Sequence, residues 1–274
     1  MEVRLAESYG FCFGVKRAIK IAERSRGGVT FGALIHNPKE IERLKNSFGV
    51  RLAQSLNELK SGDQVIVRTH GIPKNDLLSL RQKNISITDA TCPYVTKPQK
   101  IVEEMSDQGY QIIIFGDIDH PEVKSVMSYS STPVIVVGNL EELKEKKILK
   151  RVALISQTTK QTSKFLEIAH FLMCCAYETR VFNTICNATF QNQDATRKLA
   201  KEVDIMVIVG GLTSSNTQQL LNIAKEYCKD SYLIEDEKNL NKKWFVGKKI
   251  CGLSAGASTP DWIIQNVKRA IEAL

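Results

Sequence analysis

Eight stretches of the chain are short runs of mostly apolar, β-branched residues closed by a turn signal: 2–7, 64–68, 111–115, 134–137, 152–155, 205–209, 231–234 and 249–253. Runs of this kind suit strands covered on both faces. Other stretches repeat at helical spacing. Val15, Ala18, Ile19 and Ala22 fall on one helical stripe, and similar patterns occupy 199–203, 220–224 and 263–273. Strands that alternate with helices predict an α/β fold with mostly parallel sheets.

A longer period emerges from the points where a strand meets a polar cluster and then a helix. The first group is Cys12, His36 and His70. The second is Cys92, His120 and Gln157-Thr158-Thr159, and the third is Cys186, Thr213-Ser214-Ser215-Asn216 and Ser254-Ala255-Gly256-Ala257-Ser258. From cysteine to first turn the steps are 24, 28 and 28 residues; onward to the second turn they are 34, 38 and 44. This spacing predicts three pseudo-symmetric α/β units over 13–91, 92–185 and 186–274, with the strand in 1–12 joining the third. Ligand groups in open parallel sheets gather beyond the carboxyl ends of the strands. Three units around a pseudo-threefold axis would therefore turn their cysteines and polar turns into one central cavity.

Composition narrows the chemistry. No apolar run approaches the roughly 18 residues of a membrane helix, and the charged start Met1-Glu2-Val3-Arg4 lacks a signal-peptide core. The expectation is a cytoplasmic protein in a reducing compartment, with no membrane partner. Seven cysteines, an odd number at scattered spacing, argue against a disulfide framework. The 38 basic and 30 acidic residues leave a net charge of +8. That excess suits an evenly solvated basic surface, an anionic substrate, an acidic protein partner or nucleic acid. Nucleic acid is the weakest of these, because no zinc-finger spacing, aromatic RNA-binding motif or long Lys/Arg run supports it.

Cys12, Cys92 and Cys186 each sit just before a helical stretch, where helix N-termini and nearby cations favour thiolate. Lys16 and Arg17 follow the first and Lys97 the second. Cys174, Cys175, Cys228 and Cys251 read instead as small core hydrophobes, and His170 as a packed helix residue. Three converging thiolates serve either zinc, which in a structural site recruits a fourth protein ligand, or an iron–sulfur cube with one iron lacking a protein thiolate. The turns at His36, His70 and His120 place histidine ahead of proline and a predicted helix, and first-turn N–H groups favour anions. Ser214, Ser215, Asn216, Thr158 and Ser258 add neutral donors, although singly each reads as a helix cap. Glu122 reads either as a stabilising first-turn carboxylate or, within an anion pocket, as a protonated proton donor that the Thr158 hydroxyl assists.

Taken in order, the segments Gly10-Phe11-Cys12-Phe13-Gly14-Val15, Ile35-His36-Asn37, Thr69-His70-Gly71, Asp89-Ala90-Thr91-Cys92-Pro93, His120-Pro121-Glu122-Val123, Gln157-Thr158-Thr159, Ile185-Cys186-Asn187-Ala188-Thr189, Ser214-Ser215-Asn216 and Ala255-Gly256-Ala257-Ser258 span essentially the whole chain. This ordered set resembles the LytB/IspH family of 4-hydroxy-3-methylbut-2-enyl diphosphate reductases. The resemblance implies two-electron reductive dehydroxylation of the allylic diphosphate to isopentenyl and dimethylallyl diphosphate, the last step of the methylerythritol phosphate isoprenoid route. It implies one oxygen-sensitive [4Fe-4S] cluster held by Cys12, Cys92 and Cys186, and a diphosphate bound by His36, His70, His120, Ser214, Asn216 and Ser258, with Ser215 in the same turn. Glu122 and Thr158 match the family's proton-delivery residues, and an acidic ferredoxin or flavodoxin is the implied electron donor. Asn192, Gln219 and Ser254 depart from the family pattern beside these positions. The competing class is a structural zinc or iron–sulfur protein without turnover.

Overall fold

The computed structural model describes residues 1–83 and 85–274. The chain begins with β1 (Glu2–Leu5), α1 (Phe13–Arg24), β2 (Val29–Phe31), α2 (Pro38–Phe48), β3 (Arg51–Ala53), β4 (Gln64–Val67), α3 (Lys74–Gln82) and β5 (Ser86–Asp89). It continues through α4 (Pro93–Asp107), β6 (Gln111–Phe115), α5 (Pro121–Met127), β7 (Val134–Val137), α6 (Leu140–Lys144), β8 (Arg151–Ser156), α7 (Thr162–Cys175) and β9 (Glu178–Val181). The last third holds α8 (Asn187–Ala200), β10 (Ile205–Val209), α9 (Ser215–Tyr227), β11 (Ser231–Ile234), β12 (Ile250–Ala255) and α10 (Asp261–Glu272). No described helix is long and apolar enough to cross a membrane.

The strands form three four-stranded sheets, ordered β3-β2-β4-β5, β7-β6-β8-β9 and β1-β12-β10-β11. Every described pairing is parallel. One plan underlies all three sheets. The chain lays down an inner strand, steps to one edge, crosses to the other side of the inner strand and moves outward. In the third sheet the outermost place is taken by β1, which pairs with β12 from Glu2 opposite Ile250 to Leu5 opposite Leu253. The connections therefore diverge between β2 and β4, between β6 and β8, and between β10 and β12, the places where open parallel sheets leave a crevice.

Two compact units contain these sheets. One comprises Met1–Lys16, His36–Glu42 and Asn187–Leu274, and includes the sheet with β1. The other comprises Arg17–Ile35 and Arg43–Cys186, and includes the other two. Helical layers cover both faces of the central strands. Ile205, Val207 and Val209 pack with Ile263, Ile264, Val267 and Ile271 of α10. Met206 and Ile208 pack with Leu199, Leu220 and Ala224 on the opposite face. In the same way Ile113 and Phe115 of β6 meet α7, while Ile112 and Ile114 meet α4. Successive strand residues point to opposite faces, so a strand buried twice must be apolar at every position. Each such side chain contributes roughly 1.5–3 kcal/mol.

Several sequence expectations change. β2, β3, β5 and β9 were not among the predicted strands: two are only three residues long, and the edge strand β9 reads Glu-Thr-Arg-Val. The pattern at 199–203 lies mostly beyond its helix, because α8 ends at Ala200. Cys174, Cys175 and His170 are exposed, not packed. The buried stripe of α7 is Phe165, Ile168, Ala169 and Leu172, and those three residues fall on the other side of it. Cys228 and Cys251 are buried as expected. Burial raises both thiols, Cys251 to about 12.

Candidate functional site

The strand plan accounts for the hidden period. His36, His70, His120, Thr158, Ser214 and Ser258 follow β2, β4, β6, β8, β10 and β12, the six strands that flank the points of divergence. Cys12, Cys92 and Cys186 follow β1, β5 and β9, the outermost strand of each sheet beside the second inner strand.

In the larger unit, Cys92 is the N-cap of α4, with Pro93 in its first turn. Its amide donates to Thr69 O at 3.0 Å, which ties the α4 start to the turn that presents His70. Thr69 Oγ1 in turn donates to Leu34 O at 2.8 Å. Within the turn the Gly71 amide bonds Arg68 O at 3.0 Å and the Arg68 Nε bonds Gly71 O at 3.1 Å. Gly71 has φ +69°, the left-handed region that a side chain disfavours. Pro73 is the N-cap of α3, not a first-turn residue, so His70 stands further ahead of its helix than the sequence suggested.

His120 caps α5, its Nδ1 accepting from the Glu122 amide at 3.2 Å. That bond leaves Nε2 as the protonated nitrogen of the neutral ring. The His70 and His120 rings meet edge to face, their centroids 5.3 Å apart at 88°. Two residues on, Glu122 is 2% exposed. Thr158 N donates to its Oε1 at 2.7 Å and Thr158 Oγ1 to its Oε2 at 2.6 Å. Burial raises the carboxyl above its usual range, and the two Thr158 bonds oppose that shift in part. The cause is desolvation, which disfavours the charged form. Thr158 O also accepts from the Cys186 amide at 3.0 Å. A buried acid, a hydroxyl and a cysteine that opens α8 thus form one hydrogen-bonded series.

In the other unit, the Cys12 amide donates to Ala257 O at 3.2 Å and Cys12 O accepts from Lys16 N at 2.9 Å, the first bond of α1. Asn37 Oδ1 caps α2 through Glu40 N at 3.1 Å, which places half-buried His36 just outside the helix. Its backbone lies tight against Gly211, where a Cβ would fall 2.6 Å from His36 O. Ser214 caps α9, its Oγ accepting from Thr217 N at 3.3 Å. Ser215 opens the helix and is half-buried, as is Ser258 after β12. Asn216 is different. It is 4% exposed, and neither its Oδ1 nor its Nδ2 has a hydrogen-bond partner. A buried amide left so is destabilising by about 1–3 kcal/mol.

The seven cysteines are thiols without disulfides. Cys12, Cys92 and Cys186, half-buried, are the three that stand immediately before a helix, and thiols so placed have the ligand chemistry of a soft metal centre. Sequence reasoning missed three supporting partners, Ser8, Thr196 and Asp117. Ser8 Oγ bonds Asn192 Oδ1 at 2.6 Å, and Thr196 Oγ1 lies 2.8 Å from Ser254 Oγ, so two departures from the family pattern are hydrogen-bonded in the interior. Gln157 ties its turn together, accepting from Asp117 N at 2.9 Å and donating to Thr159 Oγ1 at 3.0 Å.

Comparison with known proteins agrees in every register. The sequence model of the family described as LytB protein matches residues 3–272. The chain is 60% identical over 274 residues to 4-hydroxy-3-methylbut-2-enyl diphosphate reductase of Helicobacter pylori, covering 100% of both chains. It is 62% identical over 272 residues to the enzyme of the same description from Wolinella succinogenes, covering 99% of each. The solved structure of (E)-4-hydroxy-3-methyl-but-2-enyl diphosphate reductase, described as the terminal enzyme of the non-mevalonate pathway, is 42% identical. It superposes with a TM-score of 0.71 over 100% of this chain and 99% of that one. The Plasmodium falciparum diphosphate reductase structure, 24% identical, shares the fold with a TM-score of 0.91 over 100% of this chain and 87% of its own.

Proposed function

Since the chain belongs to the LytB protein family, we propose that it reduces (E)-4-hydroxy-3-methylbut-2-enyl diphosphate to isopentenyl and dimethylallyl diphosphate. One observation carries the chemistry: the buried Glu122 carboxyl, both oxygens held by Thr158, hydrogen-bonded onward to Cys186. A carboxyl whose protonated form burial favours, beside a proposed metal ligand, is equipped to protonate a leaving hydroxyl.

Cys12, Cys92 and Cys186 would hold a [4Fe-4S] cluster, which supplies two electrons one at a time and offers one iron without a thiolate to the substrate's oxygen. The chain's own residues do the rest. His36, His70, His120, Ser214, Ser215, Asn216 and Ser258 hold the diphosphate. The orphaned Asn216 amide supports that assignment, because its Nδ2 requires an acceptor and a phosphate oxygen is one. Glu122 gives up its proton, Thr158 orients it, and the hydroxyl departs as water. Two electrons and two protons balance the step: one C–O bond breaks, one C–H bond forms at either end of the allyl unit, and one water is released. The +8 charge suits an acidic ferredoxin or flavodoxin as donor, and such a donor fits a cytoplasmic enzyme.

Anaerobic purification tests this reading. The expected protein is brown, holds about four irons and four sulfides per chain, and reduces the hydroxylated diphosphate with a chemical reductant. A protein that stays colourless and zinc-bound after iron–sulfur reconstitution overturns it.

A further inference from the structure

The turn that carries His70 is fastened to α5 by side chains that the proposed chemistry does not use. Ser125 of α5 is fully buried and donates from Oγ to Ile72 O at 3.0 Å. Gln99 of α4, 6% exposed, donates from Nε2 to the same Oγ at 2.9 Å. One helical turn on, Ser128 Oγ accepts from Lys74 N at 2.9 Å and donates to Ser125 O at 2.6 Å. The fit is close enough that a Cβ on Gly71 would lie 2.6 Å from Ser125 Oγ and 2.8 Å from Gln99 Nε2. The backbone next to His70 therefore rests directly on the Gln99–Ser125 pair.

We propose that Ser125, supported by Gln99 and Ser128, is a positioning residue that sets His70 against His120 for diphosphate binding. The inference rests on the functional reading above. α5 begins at His120 and carries Ser125 little more than one turn further on, so a hydrogen bond from Ser125 to the His70 turn fixes one histidine relative to the other. The 5.3 Å edge-to-face contact of the rings is the result. Gln99 and Cys92 share α4, which brings the helix of a proposed metal ligand into the same arrangement. Ser125 touches no substrate; it acts through the backbone at Ile72.

The test compares Ser125→Ala with Ser106→Ala in the metal-loaded protein. Ser106 is also buried, but bonds Glu103 O and Ser131 at the far end of α4. Calorimetric titration with inorganic diphosphate and steady-state kinetics are read together. Ser125→Ala is expected to weaken diphosphate binding and raise KM by about tenfold while kcat stays within about twofold. Ser106→Ala is expected to lower the thermal midpoint without moving either constant. Should Ser125→Ala not accumulate as folded protein, Ser128→Ala, which removes the bond to Lys74 N, is read the same way. Diphosphate binding at the wild-type level in the Ser125 variant, or equal weakening in both variants, overturns the proposal. A wild-type protein that neither binds diphosphate nor reduces the allylic substrate overturns the functional reading first and the positioning with it.

Discussion

Thr158 holds both oxygens of the Glu122 carboxyl, one through its amide at 2.7 Å and one through its hydroxyl at 2.6 Å. Glutamine at position 122 keeps an acceptor for the Thr158 amide, turns an NH2 donor toward the Thr158 hydroxyl, which then accepts, and has no transferable proton. Glu122→Gln is therefore expected to retain iron and KM while turnover falls at least about a hundredfold. Anaerobic assay with a chemical reductant reads this directly, and turnover within about threefold of wild type would remove Glu122 as the proton source.

The same carboxyl makes stability depend on pH. Burial raises its pKa in the folded state, so the folded protein binds this proton more tightly than the unfolded chain does. The associated stability is complete below the ordinary carboxyl range and is lost as pH rises through the raised value. Glu122→Gln has no proton to lose there. Its thermal midpoint should gain on wild type as pH rises from the ordinary carboxyl range through the raised value, and a gap that stays constant over that rise contradicts the assignment.

Removing the Thr158 hydroxyl acts in a defined direction. Its bond lowers the Glu122 pKa, so Thr158→Val pushes that pKa further up. Turnover should drop by about tenfold or more, and the alkaline fall of the pH–rate profile should move to higher pH. Thr158→Ser, which keeps the donor, should restore the wild-type position. An alkaline limb that does not move in the valine variant separates Thr158 from proton delivery.

Asn216 sets stability against binding. Its buried amide has no partner in the protein, and leucine of similar shape removes that penalty. Asn216→Leu is expected to stabilise the ligand-free protein by about 1–3 kcal/mol and to abolish the rise in thermal midpoint that diphosphate produces. Thermal unfolding with and without diphosphate reads both effects. A leucine variant that is less stable and still protected by diphosphate would show the amide to be structural.

The cysteines should separate by reactivity. Cys174 and Cys175 are exposed on α7, whereas Cys228 and Cys251 are buried with raised thiol pKa values. A neutral-pH pulse of maleimide is expected to label the first pair in the folded protein and the second pair only after denaturation. Mass mapping that finds Cys251 modified in the native state would contradict its buried placement in β12.

The sequence was most legible where one physical demand dominated. β6, β7, β10 and β11 match their predicted bounds; β10 is buried at every position, where only apolar residues fit, and the edge strands β7 and β11 keep short β-branched or apolar runs bounded by turns. β3 has two exposed residues out of three, and no such demand acts on it. The start of α8 was expected after Cys186, but its course was not legible, because its buried face mixes Thr189, Asn192, Gln193 and Thr196 with Ala195, Leu199 and Ala200, and Asn192 and Thr196 are bonded to the distant hydroxyls of Ser8 and Ser254. Among candidate site residues, those with unusual chemistry were visible: cysteines before helices, histidines before prolines. Gln99 and Ser125 were not. Each is an ordinary helical residue, and their pairing exists only because α4 and α5 pack together.

β1 is made long before the strand it pairs with. Its partner β12 lies some 250 residues downstream, and the Cys12 turn takes two of its backbone bonds, from Gly10 and Cys12, to Ala255 and Ala257. A growing chain emerging from the ribosome can complete its first two sheets in order, but the third must wait for β12. Contacts of such sequence separation form late. The segment bearing Cys12 therefore stays without its strand partner until β12, some 250 residues later, has been made. A metal that needs Cys12 in its folded place can be incorporated only after that pairing forms.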